Sequence, residues 1–245
     1  MRRSVKLWSL LLLIVVMVLG ACNGEDGDEE SPPEPQELLT EAAQSLNEAE
    51  SFRLGIRHEG PSTEIDAGEF VVIFNNATAF FVSPDRVWAK VSVAIGDLTQ
   101  EVEVIAIEDR QYINNSFLTG GEWQAEVFAQ GFQPSDLQSD EKGIGSALLS
   151  MDDAELLGRE EIAGGVAVYH LRGTVDAQKV RSVTVGLMAS DQGAIETEVY
   201  IRRDDTRRVA RIVLKEPTET DEVKIWTIDF DSYNRDFEIE EPDIP

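Results

Sequence analysis

The chain has 245 residues, of which 47 are acidic and 21 are lysine or arginine, and its formal net charge at pH 7 is −26. A surface this acidic repels phosphate backbones and anionic headgroups, so nucleic-acid binding and direct electrostatic adhesion to membranes are both disfavoured. The single cysteine excludes an internal disulfide, so apolar packing must hold the fold together.

Residues 1–21 have the pattern of a secretory signal peptide. Three basic residues within the first six precede an apolar run over residues 7–19, and small residues follow at positions 20 and 21. The run is shorter than the roughly 20 residues that a transmembrane helix needs. An exported protein is therefore expected, and its localisation depends on the next residue.

Cys22 ends this segment, and the sequence LGAC over residues 19–22 resembles the bacterial lipobox, in which the cysteine is acylated and becomes the new N-terminus. The alternative is an ordinary signal peptide with a chance cysteine, but an unpaired thiol is a liability in an exported protein. Each buried CH₂ of an acyl chain such as palmitate contributes roughly 0.8 kcal/mol. The interpretation is that Cys22 anchors the protein to the cell membrane on the extracytoplasmic side.

Residues 22–36 then comprise the lipidated cysteine and an acidic segment with three prolines, a composition typical of a disordered tether. Without residues 1–21 the chain has 18 basic and 47 acidic residues, a net charge of −29. Residues 37–245 are predicted to form one domain, since about 200 residues suffice for a sizeable core.

The predicted elements begin with a helix over residues 37–50, where apolar residues recur at helical spacing. From residue 51 the period changes to two, in runs near 52–58, 68–75, 86–95 and 101–108 that short turns separate. Tight loops join adjacent strands only when these are antiparallel, so the pattern predicts a long antiparallel meander.

The second half begins with short helical pieces within residues 133–153, where glycines interrupt the helical spacing. Strands follow at 154–162 and 166–175. Residues 176–190 are predicted as a helix capped by Asp176, although its valines disfavour it. A hairpin about the DDT sequence at 204–206 and a last strand near 223–234 complete the chain.

Several local stretches resemble the LppX/LprAFG lipoproteins, a family similar in fold to the periplasmic lipoprotein carriers LolA and LolB. DRQYINN at 109–115 with Trp123 after it resembles the family's tyrosine strand, and GGVAVYHLRGTV at 164–175 resembles its Tyr-His-Leu strand. The sequence SYN at 232–234, followed by FEI at 237–239 and Pro242, resembles the end of the family's domain. The similarity spans roughly residues 37–242.

This resemblance implies an α+β fold in which a curved antiparallel half-barrel sheet packs helices on its concave face around an apolar cavity. It further implies binding of an acyl-chain lipid or glycolipid and its transport within the cell envelope, which would bring an envelope transporter as partner. No cofactor is implied. We expect the cavity to be lined by inward residues of the strands and by a leucine pair on a lid helix: Phe52, Leu54, Phe70, Val72, Phe74, Val91, Val93, Val102, Val104, Leu148 and Leu149.

Motifs of catalysis are not found in the sequence. It lacks a G-x-S-x-G elbow, a P-loop, a dinucleotide-binding G-x-G-x-x-G and an H-E-x-x-H helix. A metal site with nitrogen and sulfur ligands is not expected, because the chain has only two histidines and its one cysteine is predicted to be lipidated. The prediction is a non-enzymatic lipid carrier. The first alternative is a structural or sensory envelope lipoprotein with a filled core that docks a protein through its acidic surface, and the second is a hydrolase with paired carboxylates.

Overall fold

The structure, a computed structural model, describes residues 32–66, 71–181, 183–188, 190, 193–218 and 222–244. Cys22, the signal peptide and most of the tether lie outside the described residues, and so does Phe70. The chain divides into two compact units, Met1–Pro33 and Glu34–Pro245, and all elements below belong to the second.

The second unit contains twelve strands and short helices among its described residues. Their bounds are α1 Pro35–Asn47, β1 Ser51–Glu59, β2 Thr63–Asp66, β3 Val71–Val82, β4 Arg86–Ile95, β5 Leu98–Ile107, β6 Arg110–Asn114, β7 Gln124–Ala125, a 3₁₀ helix Pro134–Gln138, α2 Ile144–Leu149, β8 Asp152–Ile162, β9 Val166–Asp176, α3 Ala177–Val180, β10 Ala194–Arg202, β11 Val209–Pro217 and β12 Val223–Asp231.

All strands belong to one antiparallel sheet with the order β7-β6-β5-β4-β3-β1-β12-β11-β10-β9-β8, and β2 pairs with β3 beside this path. Two meanders form its halves. The first and last strands join them, since β1 pairs with β12 so that Leu54 lies opposite Phe230. The predicted open antiparallel sheet is thereby confirmed.

One face of the sheet, here called the inner face, shares a core with the helices. The apolar stripe of α1 is fully buried and lies in the same hydrophobic cluster as Phe52 and Leu54 of β1 and Leu148 of α2. α1 contacts α2, β8 and β11, and α2 also contacts β9. The helices therefore cover the half of the sheet that the second meander forms.

The opposite, outer face carries a second, smaller cluster on β5 and β6. Ile105, Ile107 and Tyr112 pack there with Ile239 from the segment after β12. Arg86 donates a hydrogen bond of 2.7 Å to the Ile239 carbonyl, and Arg110 pairs with Glu241 at 2.6 Å. The alternation in residues 101–108, apolar on both faces, thus reflects helices and loops on one side and the C-terminal segment on the other.

Most predicted elements are present, although the strand predicted near 68–75 is the longer β3, which runs to Val82, and β7 was not predicted. The predicted helix over residues 176–190 is a single turn, Ala177–Val180, in which the Asp176 carboxylate accepts a 2.9 Å hydrogen bond from the Gln178 N–H as expected of a cap. The β-branched Val183 and Val185 follow instead in turns, in line with their poor helix propensity. The short strand β2 was not predicted.

Candidate functional site

The inner face of β3, β4 and β5 is the part of the sheet on which the predicted cavity residues converge. Val104, Ala89, Ala79, Leu54 and Phe230 lie side by side on five neighbouring strands. Ala79 and Ala89 lie in the middle of this row, and their side chains are the smallest on this part of the face. The 3₁₀ helix contacts β4, whereas α1 contacts β8 and β11 and α2 contacts β9 in the other half.

Seven of the eleven predicted residues are buried: Phe52, Leu54, Val72, Phe74, Val93, Val104 and Leu148. Val91 and Val102 face each other across β4 and β5, are half-buried, and pack against the same core. Phe70 is not described. Leu149 is 48% exposed and does not join this face, because adjacent positions of a helix point in different directions and Leu148 takes the inward one.

A loop over residues 126–133 follows β7 and brings Phe128 and Phe132 against the same core. The buried side chain of Gln111 holds it. The Gln111 carboxamide accepts hydrogen bonds of 3.0 Å from the N–H groups of Phe128 and Ala129, and it donates to the carbonyls of Ala129 and Phe132 at 3.0 and 3.1 Å. One amide therefore satisfies four backbone groups of the loop.

The helix pair on the other half is tightly joined. A Cβ at Gly145 of α2 would lie 3.0 Å from Cγ of Asn47 at the end of α1, closer than unbonded carbon atoms approach. Gln138 of the 3₁₀ helix donates hydrogen bonds of 2.8 Å to the carbonyls of Leu46 and Ala49. Glycine and glutamine thus set the distance and the orientation of the helices.

Polar side chains occupy one end of the otherwise apolar inner face. His58 lies opposite Trp226 across β1 and β12, and Glu216 lies opposite Lys224 across β11 and β12. Trp226, Glu216 and Lys224 are all buried. Sequence reasoning missed this group, although the signal was present: His58 continues the inward phase of Phe52, Leu54 and Ile56, and Lys224 that of Trp226, Ile228 and Phe230.

The family-like motifs prove to be structural in this chain. The buried Tyr233 hydroxyl donates a 2.9 Å hydrogen bond to the Val209 carbonyl, and burial raises the pKa of this phenol. Asn234 accepts a 2.9 Å hydrogen bond from the Glu50 N–H and so ties the end of β12 to the start of β1.

His170 lies on the outer face and also has a structural environment. Its ring stacks on Tyr200 with 4.2 Å between ring centroids and lies 2.8 Å from Glu160 and 3.2 Å from Glu198. Burial opposes ionisation of Glu198, but hydrogen bonds from Lys215 and Tyr200 outweigh it and lower the pKa of the carboxyl. The cluster joins β8, β9, β10 and β11 from outside.

Two surface depressions of the described residues are polar. One, of about 330 Å³, is lined by the outer side of α1 and by residues 205–208, and the other, of about 450 Å³, by residues 47–51, 82–83 and 234–237. Acyl chains are bound mainly by apolar side chains. Neither depression therefore has the lining that a lipid tail requires, and the apolar inner face is closed by its own side chains.

Within the described residues, His, Cys, Asp and Glu side chains nowhere gather in threes as a metal ion would need. The helices of this part of the chain are too short or too polar to cross a bilayer.

An open antiparallel sheet joined through its first and last strands, with helices packed on one apolar face, defines the structural class. The chain belongs to the LppX_LprAFG lipoprotein family, whose model matches residues 34–239, as the sequence motifs predicted. Membership of a lipoprotein family implies a membrane-anchored protein of the cell envelope. No curated protein matches the chain.

Solved structures with the same fold include LprF from Mycobacterium bovis, with a TM-score of 0.67, 16% identity, and coverage of 86% of this chain and 97% of that one. The Mycobacterium tuberculosis lipoprotein LppX matches with a TM-score of 0.59, 16% identity, and coverage of 86% and 100%. A LolA-superfamily protein from Nitrosomonas europaea gives a TM-score of 0.33 at 10% identity over 84% of this chain and 96% of that one.

Proposed function

We infer that this protein is a bacterial lipoprotein that binds an acyl-chain lipid or glycolipid on the inner face of its sheet and carries it within the cell envelope. Cys22 is the lipid anchor on the extracytoplasmic side, residues 22–36 are the tether, and residues 37–245 are the binding domain. The protein acts without catalysis, and an envelope transporter delivers or receives the lipid.

The observation that carries this proposal is the row of small and half-buried apolar residues on β3, β4 and β5. Ala79 and Ala89 contribute little bulk, and Val91 and Val102 are incompletely covered. The loop over residues 126–133, which is anchored by Gln111, packs Phe128 and Phe132 against the same core cluster, and we assign it the role of a lid. An acyl chain that enters beneath this loop exchanges water for apolar contacts, which is favourable at roughly 25 cal/mol per Å² of apolar area removed from water.

The inner face is closed, so lipid entry requires the loop over residues 126–133 to move. Displacing Phe128 and Phe132 from the core exposes apolar side chains, and the entering chain covers them again. The four hydrogen bonds of Gln111 are then the main polar interactions that opening must break.

A second function is favoured by a different observation. The aromatic residues at the centre of the core, among them Phe52, Phe81 and Phe230, are at most 2% exposed. A core filled in this way suits a structural or sensory lipoprotein whose acidic surface docks a protein partner. The two functions differ in whether the native protein contains lipid.

The test uses the chain from residue 22 onwards with Cys22→Ser, fused to a signal peptide without a lipobox so that its own host exports it, and purified without detergent. Organic extraction followed by mass spectrometry is expected to recover a lipid in about equimolar amount. A homogeneous, lipid-free preparation that also fails to bind added fatty acid would overturn lipid carriage and support the docking function.

A further inference from the structure

The polar group at the end of the inner face contains three ionisable side chains around Trp226. Ion burial is costly unless hydrogen bonds and opposite charges compensate it. The hydrogen bonds of Glu216, Lys224 and His58 therefore indicate which of these groups is satisfied within the protein and which needs a further partner.

Glu216 is satisfied. One carboxylate oxygen accepts a hydrogen bond of 2.8 Å from the indole N–H of Trp226. The other accepts a hydrogen bond of 2.7 Å from the backbone N–H of Ser190. Lys224, directly opposite on β12, supplies the nearby positive charge. The role of Glu216 is thus to balance a buried cation and to orient the indole.

Lys224 is incompletely satisfied. It is 6% exposed, and its ammonium group donates one hydrogen bond, of 2.9 Å, to the Thr63 hydroxyl while lying 5.8 Å from the centroid of the Trp226 ring. An ammonium group has three N–H donors. The hydrogen bond to Thr63 uses one of them, so the group retains capacity for an acceptor oxygen.

His58 shows the complementary need. Its Nε2 lies 3.1 Å from the Phe74 carbonyl, which can only accept, so Nε2 carries the hydrogen. In the neutral ring, Nδ1 then has a bare lone pair, and this atom is buried without a hydrogen-bond partner. The imidazole packs between Phe74 and Trp226, with centroids 5.8 and 5.2 Å away.

We propose that His58 and Lys224 form the binding site for the hydroxyl-bearing head, such as glycerol or a sugar, of the lipid whose chain lies along β3, β4 and β5. A hydroxyl group both donates, as the bare Nδ1 requires, and accepts, as the ammonium requires. An ester carbonyl can accept a hydrogen bond from Lys224 but has no hydrogen to donate to Nδ1 of His58. This inference rests on the proposed function and adds the chemical class of the headgroup.

The position fits a lipid whose chain lies under the lid. Ile56 pairs with Ala77, which pairs with Val91, so this row crosses the proposed path of the chain. His58 is two residues further along β1, about 7 Å at the rise of a β-strand. Phe74, whose ring contacts His58, pairs with Val93 on β4. Head and chain sites are therefore contiguous.

The experiment compares two soluble probes with the same acyl chain, 1-decanoylglycerol and methyl decanoate, by titration calorimetry on the unlipidated chain from residue 22 onwards. The wild type is expected to bind 1-decanoylglycerol at least about tenfold more tightly than methyl decanoate. Methyl decanoate has no hydroxyl group and therefore leaves the buried Nδ1 of His58 unpaired. His58→Phe, which keeps the aromatic stacking, should reduce this preference about fivefold or more and leave the affinity for methyl decanoate unchanged.

Lys224→Met should weaken the binding of both probes, because each carries an ester carbonyl that can accept from the ammonium group, and the double variant Lys224→Met/Glu216→Gln repeats the test with the buried charge balanced. The matched control is Lys215→Met, on the outward phase of the neighbouring strand, which should alter neither affinity. If neither probe binds the wild type, lipid binding itself is overturned. If both bind equally, if the preference survives in His58→Phe, or if the Lys224 variants bind both probes as tightly as the wild type does, the headgroup site is overturned while lipid binding stands.

Discussion

The side chain of Gln111 donates a hydrogen bond of 3.1 Å to the carbonyl of Phe132, twenty-one residues further along the chain. Through this and three further hydrogen bonds a single inward residue of β6 holds the loop whose Phe128 and Phe132 pack against the core. The loop has no strand pairing of its own beyond β7, so its position depends on this amide.

Replacing Gln111 with leucine should therefore loosen the lid without unfolding the sheet. The four backbone groups lose their buried partner, and each unsatisfied group costs about 1–3 kcal/mol unless the loop moves into water. We expect faster hydrogen exchange at residues 128–132 and faster exchange of bound lipid. Gln124→Leu, on the exposed strand β7, is the control and should leave both rates unchanged. Unaltered exchange rates in the Gln111 variant would show that the loop is held by other contacts.

Val91→Trp distinguishes the carrier from the filled structural protein. If an acyl chain occupies the space between the sheet and the lid, the indole takes its place, so lipid retention should fall while the melting temperature stays within a few degrees. In a solid core the same substitution overpacks the site and costs about 1–3 kcal/mol. Ser92→Trp, on the opposite face of β4, is the matched control. A marked loss of stability with no change in bound lipid would contradict the proposed function.

Glu198→Gln should destabilise the protein by about 1 kcal/mol at neutral pH, because the charged carboxylate accepts hydrogen bonds from Lys215 and Tyr200. The folded-state pKa of Glu198 is below its ordinary value of 4.5, so this stabilisation is present above that pH and is lost as the pH falls through the folded pKa. Urea unfolding of both proteins between pH 7 and pH 3 should show the difference shrinking. The exposed neighbour Glu196→Gln should show a smaller effect, and a difference independent of pH would argue against the electrostatic origin.

Cys22→Ser in the full-length chain should leave an uncleaved or mislocalised precursor, since serine cannot form the thioether to the lipid. Membrane fractionation and the mass of the mature protein measure this directly. Asn23→Ser is a control at the adjacent position and should mature normally. Normal membrane-bound maturation of the Cys22 variant would contradict the assignment of the anchor.

Local features of the sequence were sufficient to predict most elements. Alternation with a period of two located β1, β4 and β5, and the stripe of Leu38, Leu39 and Ala42 located α1, because the side-chain direction repeats within a few residues in both kinds of element. The family motifs were also readable, although the structure shows Tyr233 and His170 to be structural residues.

The tertiary structure decided what covers each apolar face. Ile105 and Ile107 of β5 are apolar in sequence just as Val102 and Val104 are, yet one pair meets the C-terminal segment and the other meets the core beneath the lid. Nothing within a strand distinguishes these two partners, because they come from segments far away in the chain.

Local patterns were enough to place most strands and helices, and the motifs were enough to assign the fold to a lipoprotein family. The pairing of β1 with β12, which places His58 against Trp226 and closes two meanders into one sheet, was decided only in three dimensions. This pairing joins residues nearly 170 positions apart. Their contact depends on the register of both strands, and a local sequence pattern does not specify that register.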